Sequence, residues 1–299
     1  MTLQTKCNGT TRAGHPCQIT AASAMLDAAG RSVAAPLRRG SPFCLFHARP
    51  FCTLPAIVEG PIVIVYLDLE TTGVDVSRDR IVELAAVQGH DRAHLPGGSF
   101  SEVVHVPEQI QTSTCAQAAA RVHGITDDEI ARGTLFPESW SRFLMFSEAC
   151  LNNAILDGSD ESDAEPLPPG PPDAPPSLLL IGHNSFRFDF AVILFECERH
   201  KLSTTPFRRW LFADTLHVLE SAKSELGGAC LKLQCMINTI ASAKDLRAHR
   251  ALDDCIALRC VVHSVAYKLG CSVTDLMRKF ACRWDEQASV AQIAALIDD

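Results

Sequence analysis

The chain has 299 residues, 47% of them hydrophobic, which suffices for one main domain with a small appendage. A formal charge of -8 argues against a partner held by bulk electrostatics, and no apolar run approaches membrane-spanning length. The charge is uneven: residues 1 to 60 hold six Lys or Arg against two acids, a balance of +4, which leaves -12 for the remainder. Thirteen cysteines sit mostly in apolar segments, and the opening "MTLQTKCNGTTRAG" lacks the apolar core of a secretory signal. These features predict a soluble, intracellular protein, nuclear or cytoplasmic and not secreted, with Cys serving mainly as a small hydrophobe.

Residues 1 to 55 lack sustained periodicity and are rich in Gly, Thr, Cys and Arg, so they read as a small loop-built module. From residue 61 the pattern changes. "PIVIVYLDLE", "RIVELAAVQG" and "SFSEVVHV" read as three successive strands, the first a buried apolar run. Helical patterns follow in "TSTCAQAAARVHG", with Gly124 as C-cap, in "TDDEIARG", with a Thr/Asp start, and in "PESWSRFLMFSEACLNN".

Residues 157–176 carry six acids, seven prolines and no basic or aromatic residue. Such a segment has too little apolar surface to offset its ordering entropy and predicts a disordered insertion. "SLLLIG" then gives another buried strand, "SFRFDFAVILFECERHK" a helix, "RRWLFADTL" a strand running into a helix, and "AHRALDDCIALRCVVHSVAYKLG" a long helix. Residues 286–299 read as a helical tail behind a domain spanning 61–285. A hairpin-like set of strands followed by alternating strands and helices predicts an α/β domain with a mixed sheet flanked by helices.

The strand "VIVYLDLETTG" ends in two acids, Asp68 and Glu70, which strand alternation sends to one face. Like charges that close repel, and a divalent cation of the magnesium or manganese type is the economical way to hold them. "GHNSFRFD" places Asp189 behind a buried strand, where open α/β sheets bind ligands. In the last long helix Ala251, Cys255, Leu258, Val262, Val265 and Leu269 form the core stripe. At about 100° per residue, Asp254 borders that stripe while Asp253 is expected to face water. His249 stands five residues before Asp254. Several carboxylates with a base and two metal ions are the equipment that cuts phosphodiesters.

"LDLETTG", "GHNSFRFDF" and "HRALDD" resemble, in order, the three motifs of the DnaQ-like 3′-to-5′ exonucleases of the DEDDh type. "RVHGITDDEI" and "ADTLHVL" resemble intervening segments of that family, so the likeness covers residues 61 to 268. It implies a ribonuclease H-like fold, with Asp68, Glu70, Asp189 and Asp254 holding two Mg2+ (or Mn2+) ions and His249 as general base. The family pattern selects Asp254 over Asp253, as the helix faces do. It further implies terminal-nucleotide contacts around Leu69, Thr71 and Thr72. Asn184 is assigned mainly to the turn with His183, a substrate contact being its second reading, and Lys244, Arg247 and Arg250 could meet upstream phosphates. His123 reads as a structural residue near a helix end, and Asp214 as a helix N-terminal acid. The expected partner is the 3′ end of a nucleic acid, single-stranded DNA in the leading reading, with RNA, or a catalytically silent scaffold, as alternatives.

"CNGTTRAGHPC" with "CLFH" resembles short Cys-His modules of the form C-x-G-x-T-x-x-G-x-x-C followed by C-x-x-H. Cys7, Cys17, Cys44 and His47 could supply tetrahedral coordination to one structural zinc, with Cys52 as a substitute ligand and free thiols as the competing reading. Metal analysis of a fragment spanning residues 1 to 60 is expected to find one zinc per chain; a metal-free fragment would rule the site out.

Overall fold

The computed structural model describes residues 60–89, 98–157, 175–227, 230–239 and 249–284, with three short strands nearer the N-terminus. The chain divides into two units, Cys52–Glu286 and Met1–Phe51 with Gln287–Asp299. Of the latter, the described part is a two-stranded antiparallel ribbon, β1 (Ala24–Leu26) and β2 (Ser32–Ala34). Cys7, Cys17, Cys44, His47, the tail 286–299, most of the acidic insertion, and Lys244 and Arg247 lie outside the described residues.

The larger unit is built on a seven-stranded sheet in the order β3-β9-β8-β7-β4-β5-β6. Its strands are β3 (Cys52–Thr53), β4 (Ile62–Thr71), β5 (Ile81–Gln88), β6 (Ser99–Val103), β7 (Ser177–Gly182), β8 (Leu211–Asp214) and β9 (Cys282–Trp284). β4 pairs antiparallel with β5 and parallel with β7, which pairs parallel with β8. This is the mixed α/β sheet of a ribonuclease H-like fold. The carboxyl ends of β4, β7 and β8 therefore open on the same edge.

Helices α1 (Glu108–Gln111), α2 (Thr114–His123), α3 (Asp127–Ala131) and α4 (Phe136–Asp157) fill the crossover from β6 to β7. α2 ends at Gly124 in the left-handed conformation, φ 69°, which glycine adopts without strain. α3 starts with a capping box between Thr126 and Glu129. α5 (Asp189–Arg199) joins β7 to β8 together with α6 (Thr205–Arg209), and α7 (Thr215–Ser221), α8 (Leu233–Thr239), α9 (Ala251–Lys268) and α10 (Val273–Arg278) complete the domain.

β4 alternation organises the core. Ile62, Ile64 and Tyr66 pack with Ala85 and Val87 against Leu258, Val261, Val262 and Val265 of α9. Asp68 and Glu70 continue that row, so they emerge on the α9 face. The core stripe of α9 is wider than its three-four spacing predicts, since Ala257, Val261 and Ala266 are buried too and Leu269 is only partly covered.

Three local expectations change. The helix expected from Ser185 begins only at Asp189, because Ser185 and Phe186 are held in a turn: Asp214 accepts the amides of Asn184 (2.8 Å) and Phe186 (3.1 Å). α4 extends four residues beyond "LNN", to Asp157, into what composition alone assigns to the insertion. α8, within "LKLQCMINTI", was not anticipated: seven residues are too few for periodicity to stand out, and Met236 and Ile237 fix it through tertiary burial.

Asp214 does more than cap a helix. Besides the two amides of the 184–186 turn, its carboxylate accepts the amide of Leu216 at 2.9 Å as N-cap of α7, and it is buried. Removing it would orphan three amides, each worth about 1–3 kcal/mol when left unsatisfied. Asp214→Ala is expected to lose about 3–5 kcal/mol of stability in denaturant unfolding, and a loss under about 1 kcal/mol would contradict this role.

A candidate active site at the end of the central strand

The carboxyl end of β4 gathers four acids. Asp68 and Glu70 come from β4 itself, Asp189 is the first residue of α5, and Asp254 lies one turn into α9. Donor atoms of Glu70, His249 and Asp254 all lie within 4.8 Å of one another. Asp189 lies against β4, where the backbone amide of Leu69 favours its charged form.

The carboxylates report their crowding. Burial is the largest influence on each, and it disfavours the charged form. Asp68 is raised well above the usual carboxylate range by burial and then by the charges of Asp189, Asp254, Glu70 and Glu83. Glu70 is pushed up to about 8, again by burial and then by Asp254, Glu83 and Asp189. Asp189 rises to about 7 and Asp254 to about 6, burial being partly offset by hydrogen bonds from Ser185 and Leu69 to the former and from the His249 amide to the latter.

Four acids that repel one another and carry only oxygen donors, Asp189 buried and Asp68, Glu70 and Asp254 half-buried, are a misfit as a free-standing core. They are a good fit to hard divalent cations, which take carboxylate oxygens and remove the repulsion. An imidazole within reach of two of them adds a group that can accept a proton.

Several side chains around this cluster were not picked out by sequence reasoning. Ser185, fully buried, donates to Asp189 Oδ2 at 2.7 Å. Gly182 makes this possible, since a Cβ there would lie 1.7 Å from Ser185 Oγ. The small residues of "GHNS" were the available signal. Glu83 of β5 stands directly across from Glu70 and forms a bidentate pair with Arg250, at 3.1 and 2.9 Å. Its signal was a lone acid within an apolar strand.

The remaining candidates divide by exposure. Leu69, Thr71 and Thr72 are buried; Thr71 donates to the Gly73 carbonyl at 2.6 Å and Thr72 to Asp79 at 3.0 Å, which shapes the turn after Glu70. That turn is fastened to α5 by Arg80, whose guanidinium forks onto buried Glu196 at 2.5 and 3.1 Å. Asn184 is exposed, with φ 61°, a left-handed conformation that Asn tolerates better than most residues. His183 Nδ1 lies 2.9 Å from Thr215 Oγ1, consistent with a turn-holding part. His123 closes α2 and accepts the Ile125 amide at 3.0 Å through Nδ1. Asp253 does not face open water: it is half-buried and its charge acts on Arg250, because the start of α9 lies down against β5 through Glu83.

Comparison with known proteins gives the site a context. Residues 65–157, which hold the first of the three motifs, match the RNase_T exonuclease family model. Enzymes of this family use divalent metal ions. The chain is 25% identical over 238 residues to "Exonuclease DPD1, chloroplastic/mitochondrial" of Arabidopsis thaliana, a match spanning 77% of this chain and 65% of that protein. Among solved structures, the nuclease domain of 3′hExo, a DEDDh family member bound to rAMP, is 18% identical, with a TM-score of 0.47 over 75% of this chain and 96% of that one. Exonuclease I from Methylocaldum szegediense is also 18% identical, with a TM-score of 0.48 over 72% and 42%.

The raised acids set a pH dependence. A carboxylate whose folded pKa exceeds its unfolded value binds more protons when folded. In metal-free protein its contribution is present below about pH 4 and is lost as pH rises through about 6 to 8. A divalent cation must displace those protons, so it stabilises more where they have already left. Thermal melts are expected to show a larger Mg2+-induced rise in Tm at pH 8 than at pH 6; an equal or smaller rise at pH 8 would show that the acids do not bind the ion together.

Proposed function

We propose that this protein is a metal-dependent 3′-to-5′ exonuclease that hydrolyses the terminal phosphodiester of DNA and releases nucleoside 5′-monophosphates. The observation that carries the reading is the convergence of Asp68, Glu70, Asp189 and Asp254 at the end of β4 with His249 beside Glu70 and Asp254. Asp68, Glu70, Asp189 and Asp254 would hold two Mg2+ (or Mn2+) ions. When bound, these ions supply charge stabilisation at the phosphate and a water that is more acidic than bulk water.

The chain's own groups account for the rest. His249, exposed at the entry to α9, accepts the proton of the attacking water at an imidazole nitrogen. Ser185 holds Asp189 in one orientation, so that ligand is ordered before substrate arrives. The strand end around Leu69, Thr71 and Thr72 receives the terminal nucleotide, and Asn184 and Arg250 lie at the margin where backbone phosphates approach. An enzyme that holds only the end of a strand needs few phosphate contacts, which suits a chain of net charge -8.

We place the protein inside the cell, in the nucleus or cytoplasm. Nine cysteines among the described residues are free thiols, in keeping with a reducing compartment. No described helix is long and apolar enough to cross a membrane.

The test is hydrolysis of 3′-labelled single-stranded DNA and of RNA of the same sequence, with and without Mg2+. Metal-dependent release of mononucleotides from DNA is expected, with Asp68→Ala lowering the rate at least 1,000-fold. His249→Ala is expected to retain substrate binding and lose about 100-fold or more in kcat. Faster hydrolysis of RNA would reassign the substrate; activity that survives Asp68→Ala would exclude the site.

A further inference from the structure

We infer that Glu83 is a positioning residue for His249: its carboxylate clamps the two residues that follow the histidine and so fixes the backbone from which the imidazole projects. The inference rests on the exonuclease reading of the site.

A carboxylate at Glu83 needs an explanation. The residue is 1% exposed, sits in a strand whose other residues, save Gln88 at its end, are apolar, and faces Glu70 directly across the β4–β5 pairing. Like charges directly opposite one another destabilise a sheet, and a buried ion pair is often no more stabilising than apolar residues of the same volume. Packing alone would be served as well by a leucine or a methionine.

What the carboxylate does is hold the entry to α9. Oε2 accepts from Arg250 Nε at 3.1 Å and from the Ala251 amide at 3.0 Å, while Oε1 accepts from Arg250 Nη2 at 2.9 Å. Arg250 is the N-cap of α9 and Ala251 its first residue; Arg250 has no side-chain cap bond, so Glu83 supplies from β5 an acceptor that the helix start lacks. The fork geometry of guanidinium and carboxylate fixes direction as well as distance.

His249 lies immediately before this clamp and has a left-handed backbone, φ 66°. That conformation is costly for a residue with a Cβ and persists only where the surroundings impose it. Two tethers do so here. The His249 amide donates to Asp254 Oδ2 at 2.9 Å, and the next two residues are fastened to Glu83. One tether runs to an acid of the cluster and the other to the sheet, so the histidine is referenced both to the ligand set and to β5. Without the second, Arg250 and Ala251 are free to shift, and His249 can relax to an ordinary backbone that turns its ring away from Glu70.

Acting through His249 has a signature that general destabilisation lacks. Single-turnover and steady-state rates on 3′-labelled single-stranded DNA at saturating Mg2+ would be compared for wild type, Glu83→Gln, His249→Ala and the double variant, with melting curves for each. Glu83→Gln is expected to lower kcat at least tenfold with KM within threefold, and the double variant to be within twofold of His249→Ala, since a group cannot position a side chain that is gone. Losses that multiply in the double variant, or wild-type kcat in Glu83→Gln, would overturn the inference. Should Glu83→Gln fail to fold, Arg250→Lys, which keeps the charge but breaks the fork, is expected to give the same non-additive pattern with His249→Ala, and multiplied losses there count equally against it. Wild-type protein inactive on both DNA and RNA would sink the exonuclease reading and the inference with it; active wild type with independent Glu83 and His249 effects would sink the inference alone.

Discussion

The constraint on which the structure turns is electrostatic. Strand alternation carries the apolar row Ile62, Ile64 and Tyr66 into Asp68 and Glu70, so the row that anchors α9 ends in two carboxylates under the same helix. Asp189 and Asp254 then approach from α5 and α9, and each of the four is pushed toward its neutral form. In a domain whose net stability is of the order of 10 kcal/mol, such an assembly is tolerated only where something of opposite charge offsets it. The arrangement is thus unfavourable as packing and intelligible as a receptor for cations.

Much of the surrounding structure can be understood as restraint on those acids. The β7–α5 turn is organised by Asp214, which binds amides of the turn and of α7, and by Ser185, which reaches forward to Asp189. The turn after Glu70 is fastened to α5 through Arg80 and Glu196. The start of α9 is fastened to β5 through Arg250 and Glu83. Hydrogen bonds and ion pairs between neighbouring elements, rather than long loops, keep the carboxylates close while leaving them little freedom to turn away from one another.

The fold was legible where periodicity runs long. β4, β5 and β7 and helices α2, α4 and α9 follow from apolar runs and three-four spacing, and the caps at Thr126 and Gly124 fall where the residue types place them. Several short elements were not: α6, α8 and α10 each have fewer than eight residues, and β9 only three, so their order derives from what they pack against. For the candidate site, the acids stood out because each interrupts or ends an apolar pattern. Glu83 did so too, but its meaning lies in a partner 167 positions away, Arg250, which no local pattern can show. The side of α9 on which Asp253 lies was misjudged because the 100° rule locates a residue relative to its own helix and not to the neighbouring strand.

The order in which the chain is made gives the last of these contacts a particular weight. Asp68, Glu70 and Asp189 all precede α9, whereas His249, Arg250 and Asp254 arrive together at its start. A growing chain that has released only the first two hundred residues owns three of the acids and neither the fourth nor the histidine. Docking of α9 against β4 and β5 therefore brings the last two of these groups to the centre, and it also buries the apolar face of that helix. Readiness for chemistry thereby waits on the docking of that one helix.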